Sequence, residues 1–203
     1  MQYWRASIRG GPVNPASLVH SSVHSDSLLQ LLKVPICHPF VEFVCASVVI
    51  TAAHGGHGLR TLPIHTPKFT NFVHSTLRRG GVTTSILLVA LVYIYRARCY
   101  GPILWEEWVC ERIFMGALIV ASKYTQESSL KNVHWAQITN TFGTKDIGRI
   151  EREFLDVLHW DLHVSESDLL RFQDGLIVAA TVWRRSPGCT IPMNSNIAPS
   201  KPV

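Results

Sequence analysis

Charged side chains are scarce in this 203-residue sequence, at 16% against 47% hydrophobic residues. A chain so apolar must bury much of itself or offer a large apolar face to a partner, which excludes a wholly disordered protein. Paired cysteines are missing as well. The five thiols, Cys37, Cys45, Cys99, Cys110 and Cys189, are odd in number, widely spaced and include no CxxC. That pattern argues for free thiols in a reducing compartment. Cys99 and Cys110 sit in apolar helical contexts and read as small buried hydrophobes. Cys37, His38, Cys45, His54 and His57 lie close along the chain, but single ligands seven and eight residues apart do not match structural zinc. No Gly-rich phosphate loop, nucleophile elbow or HExxH phrase occurs, so the sequence points to no enzyme, no metal and no cofactor.

Long hydrophobic runs are also absent. The most apolar stretches, Ile86–Ile94 and Ile113–Ala121, fall far short of the roughly 20 residues that cross a bilayer, and read as buried helices. The first fifteen residues, MQYWRASIRGGPVNP, lack the apolar centre of a signal peptide, so an intracellular protein, nuclear or cytoplasmic, is expected. The net charge is +5 with a pI of about 9.1, yet the cations are scattered, with only Arg78-Arg79 and Arg184-Arg185 as pairs. No stripe of basic and aromatic residues supports a nucleic-acid partner.

What is present is helical periodicity. Residues 1–25, rich in Ser, Gly, Pro and His, predict a flexible leader. Residues 27–65 predict an N-terminal helical segment, Ser27–Ala53, that opens with an apolar run and continues as an amphipathic helix after the Pro35 and Pro39 interruptions, and a linker marked by HGGHG at 54–58. From residue 66 to 164 five helices can be delimited. The first covers Pro67–Arg79 and stops at Gly80-Gly81. The second starts after Thr83 or Thr84, ends near Arg98 and is apolar all round, as a central helix would be. The third runs from about Glu106 to Tyr124, with acids at its start and Lys123 in its last turn, matching the helix dipole. Gly116, Ala117 and Ala121 leave gaps there for close helix approach. A short fourth helix covers Val133–Phe142 and closes at Gly143, and a fifth begins behind Thr144 with Ile147, Ile150, Phe154, Leu155 and Leu158 on one stripe. Residues 165–183 predict one C-terminal helix, since Ser165 and Asp168 have capping-box spacing. Residues 184–203 predict a disordered tail. The fold class is all-α, built on a bundle around a central helix.

Two blocks then stand out: RIFMGALIVASKYTQESSLKNVHWAQI from Arg112 to Ile138, and IEREFLDVLHWDL from Ile150 to Leu162. Their order and spacing resemble the cyclin box, and the preceding SILLVALVYIYR resembles its second helix. Within the cyclins the phrases LVYIYR, SSLKNVHW and EREFLDVLHWDL are most similar to the fungal Pcl/Pho type. The upstream SLLQLLKVPICHPFVEFVCASVV resembles the extra N-terminal helix region of that group. The likeness covers about residues 27–172.

The resemblance implies a non-catalytic regulatory subunit that forms a heterodimer with a cyclin-dependent serine/threonine kinase of the Pho/Pcl-associated type. It assigns kinase binding to Lys123 and Glu151, with Tyr124, Leu155 and Trp160 as the apolar surroundings. On physical grounds alone Lys123 is a cation completing a helix end, Glu151 a solvated acid beside Arg152, and Tyr124, Leu155 and Trp160 ordinary core. The alternative reading is a cyclin-fold module that binds DNA or transcription factors. Two departures bear on substrates: Tyr95, not an acid, precedes Arg96, and TPKFTNFVHSTLRR lacks the MRAIL-like docking phrase of other cyclins. Thr66-Pro67 and Ser186-Pro187 are the dipeptides at which a partner kinase could modify the chain.

Overall fold

The computed structural model describes residues 24–54, 67–100 and 108–185. Most of the expected leader, the linker after His54, Glu106, Thr66, Ser186 and the expected tail beyond Arg185 lie outside these residues. Nine helices and no strand occur among the described residues. They are α1 (Asp26–Leu32), α2 (His38–His54), α3 (Pro67–Arg79), α4 (Thr84–Tyr100), α5 (Val109–Thr125), α6 (Asn132–Thr139), α7 (Thr144–Val157), α8 (Glu166–Leu170) and α9 (Gln173–Arg185). None is long and apolar enough to cross a membrane.

The centre of the bundle follows from hydrophobic pattern. In α4 every residue from Ile86 to Ile94 is buried, and in α5 every residue from Ile113 to Ser122 is buried. Helices without a polar face can only sit inside, so the others arrange around them. α5 packs on α2, α3, α4 and α7. Its contact with α7 is unusually close, because a Cβ at Gly116 would come within 2.6 Å of Phe154 Cβ. At the end of α3 the left-handed Gly81 (φ 59°) closes the helix. The Val82 and Gly81 amides donate back to the Leu77 and Arg78 carbonyls, a pairing that glycine makes without steric cost.

Four boundaries differ from expectation. The 27–53 segment is two helices, not one. Ser25 caps α1 by accepting from the Leu28 amide at 3.2 Å, the chain runs non-helically through Pro35, and α2 then begins with Pro39 in its first turn. A proline there costs little because that amide has no helical partner. The 165–183 segment also divides, at Arg171-Phe172, which lets Phe172 turn inward onto Phe43 of α2 at a ring separation of 6.4 Å. α7 is capped by Gly143, whose amide donates to Asp146 at 3.0 Å, with Thr144 as the first helical residue. α6 ends early at Asn140 (φ 51°), a residue type that tolerates the left-handed conformation.

Two thiol readings also shift. Cys99 is exposed and Cys110 only half-buried, whereas Cys37 and Cys45 are buried. Both Cys45 and Cys110 are pushed up to about 11, mainly by burial. Cys99 lies in the last turn of α4, where the helix has passed beyond the core.

Candidate functional site

Three helices converge at one edge of the bundle. Lys123 occupies the last turn of α5, Asn132 opens α6, and Glu151 lies in the middle of α7. The close seating of Phe154 on Gly116 brings α7 near enough to α5 for the two charged side chains to meet. Lys123 Nζ donates to Glu151 Oε1 at 2.6 Å, and Asn132 Nδ2 donates to Glu151 Oε2 at 3.0 Å. The Glu151 side chain is only 16% exposed, so it is not the solvated acid that helical position alone suggests. Lys123, at 37% exposure, faces outward and keeps two further N–H donors.

The apolar surroundings divide unequally. Tyr124 is 47% and Trp160 63% exposed, so neither is ordinary core. Leu155 is half-buried at the core's margin, one turn beyond Glu151 on α7. Trp160 is joined to it through the backbone, its amide donating to the Leu155 carbonyl at 3.1 Å. The chain leaves α7 through His159 (φ 51°) and Trp160 (φ 60°), two consecutive left-handed residues that are not glycine. Such backbone is held only when its surroundings fix it.

Those surroundings come from α4. Tyr93, buried in the core, donates its hydroxyl to the Leu162 carbonyl at 3.0 Å and sets its ring edge-on to Tyr124 at 6.3 Å. Burial raises the Tyr93 hydroxyl far above its ordinary titration range, so it remains a donor. Arg96 donates to the Asp161 carbonyl at 3.0 Å and to Asp168 Oδ2 at 3.2 Å, with its side chain 15% exposed. The Ser165 amide and hydroxyl, aided by Arg96, hold the Asp168 carboxyl below its usual range. The exit of α7 is thereby tied to the central helix at both ends.

At the other end of α5, Arg112 pairs with Glu153 of α7, which also accepts from Arg149 at 2.8 Å. Trp108, Phe142, Asp146 and Ile150 join the two arginines in lining a shallow cavity of about 190 Å³. No cluster of three metal-ligating side chains occurs among the described residues. His54 instead contacts the Ile50 carbonyl and receives Arg98 at 3.0 Å.

Sequence reasoning brought Lys123 and Glu151 together and missed Asn132 and the anchoring role of Arg96. Asn132 carries a legible signal, a polar amide at the first turn of a helix that enters the core at Trp135. Its partner on α7, nineteen residues away, cannot be read from helical spacing.

A model of the cyclin N-terminal domain matches residues 66–163. The PHO85 cyclin-2 of Saccharomyces cerevisiae is 27% identical over 149 residues, covering 71% of this chain and 48% of that protein. PHO85 cyclin-9 of the same yeast is 27% identical, over 71% of this chain and 49% of its own length. PHO85 cyclin-1 is 30% identical over 157 residues, 72% of this chain and 56% of that protein. The chain thus spans about half the length of the curated relatives it matches.

Proposed function

We propose that this chain, which belongs to the cyclin family and within it to the Pcl/Pho type, is the regulatory subunit of a cyclin-dependent serine/threonine kinase. The relatives carry PHO85 in their names, and a kinase of that kind, inside the cell, is the partner we assign. The cyclin box is taken as 66–164, preceded by the N-terminal helical region and followed by the 165–183 segment.

The observation that carries this reading is the Lys123–Glu151 pair at 2.6 Å, set at an exposed edge beside Tyr124, Leu155 and Trp160. An ammonium whose counter-ion is already held can offer its remaining donors to main-chain carbonyls of a partner once water is excluded. The exposed aromatics beside it supply apolar area of the kind that anchors interfaces. Docking would hold the kinase's regulatory helix inward, completing that enzyme's own Lys–Glu pair and shifting its population toward the active state. The chain would contribute no group to phosphoryl transfer.

The test is co-purification with candidate kinases and assay of the complex. Wild-type chain should form a complex and raise kinase activity, and Lys123→Ala or Glu151→Ala should weaken the complex severely and lose the activation with it. Variants that activate as well as wild type would show the interface to be elsewhere.

A further inference from the structure

We infer that Asn132 is a positioning residue for the kinase contact: its amide fixes the Glu151 carboxylate so that Lys123 is presented in one orientation. This rests on the interface reading above. The geometry is specific. Glu151 spends one carboxylate oxygen on Lys123 and the other on Asn132, so its plane is defined from two helices at once. A flexible lysine on four methylenes has many rotamers, and a carboxylate free to rotate would follow it rather than hold it. With Asn132 in place, the carboxylate is held from both sides and directs Lys123.

The amide orientation is set by chemistry, since the reverse flip would turn an oxygen toward a carboxylate. The consequence is visible on the other side of the side chain. Asn132 Oδ1 is shielded from solvent and has no hydrogen-bond partner among the described residues. Leaving a buried acceptor unpaired is unfavourable, and the arrangement persists because the opposite amide edge is committed to Glu151. Asn132 also lies against α7 at Gly148, where a Cβ would meet Nδ2 at 3.5 Å, an ordinary contact. Packing there is therefore tolerant, and the hydrogen bond is what ties the residue to this place.

The experiment is a double-mutant cycle, read as affinity for the yeast kinase PHO85 by titration calorimetry. Asn132→Asp keeps the shape but sets a carboxylate against Glu151, and should weaken binding about tenfold, the scale of one hydrogen bond to a charged group. Because Asn132 acts through the Glu151 carboxylate, the same substitution made in a Glu151→Gln chain should add less than about twofold to the loss that Glu151→Gln causes alone, a coupling that a merely structural role for Asn132 would not produce. Wild-type affinity in Asn132→Asp, or an undiminished tenfold loss in the Glu151→Gln chain, overturns the inference while the interface stands. A wild-type chain that forms no complex, or a Glu151→Ala chain that binds normally, overturns the interface reading and the inference with it.

Discussion

Two ionic clusters bridge α5 to α7, and they are built to opposite plans. At the C-terminal end of α5 a single cation, Lys123, meets a carboxylate that is largely buried and steadied by an uncharged amide. At the N-terminal end two guanidinium groups, Arg112 and Arg149, close on Glu153, whose side chain is 44% exposed. In the first, the acid is hidden and the base is shown. In the second, the acid is surrounded and its charge cancelled. The residues Glu151 and Glu153 stand two positions apart on one helix, so their side chains diverge to different faces. A carboxylate thus becomes part of a presented site or part of a clamp according to what approaches it from α5 and α6.

The sharpest way to break this contrast is to remove each acid in turn. Glu151→Ala should weaken kinase binding by about 2–5 kcal/mol, because Lys123 is left desolvated in the complex without its counter-ion. Glu153→Ala should leave binding within about 1 kcal/mol of wild type, as expected for an exposed ion pair. Calorimetric titration of both variants checks this, and equal losses would dissolve the distinction.

The next largest effect strikes both clusters together. Gly116→Ala drives a methyl group into Phe154 and should cost about 1–3 kcal/mol of folding stability, the range for an overpacked core. Denaturant unfolding reads it directly. Kinase affinity should fall with it, since Lys123 and Glu151 depend on the same helix approach.

The smallest effect concerns Glu153 alone and is read by pH. Burial alone would raise the Glu153 carboxyl, but hydrogen bonding from Arg149 and the charge of Arg112 outweigh it and hold the group below its usual range. A depressed carboxyl stabilises the fold above its unfolded value, about 4.3, and that contribution is lost as pH falls through the folded value. Glu153→Gln should therefore flatten the acid limb of stability slightly, measured as melting temperature between pH 6 and 3. An unchanged limb would mean the clamp contributes nothing to the fold.

How far these regions could be read beforehand depends on the range of the forces involved. The bounds of α3, α4 and α7 follow from caps, glycines and periodicity within one or two turns, and the sequence expectation for them holds to within a residue or two. The division of 165–183 does not follow from such signals. Ser165 and Asp168 begin a helix correctly, but the break at Arg171-Phe172 exists because Phe172 packs on Phe43, far away in the chain. The partner of Asn132 was hidden for the same reason, and so was the role of Arg96, whose acceptors on Asp161 and Asp168 lie across the fold. Trp108 and Trp160 are left-handed residues with no glycine to announce them. The Lys123–Glu151 pair was legible only through family likeness; its chemistry alone predicted two unrelated surface charges.

Tyr93 gives these observations a genetic meaning. Its ring belongs to the interior and its hydroxyl to the rim, where it holds the Leu162 carbonyl while its edge supports Tyr124. Information about the core is therefore expressed at the surface. Variants that lose the proposed kinase partner need not map to the exposed edge, and second-site suppressors of such variants are to be sought inside α4 as well as on the face proposed for docking.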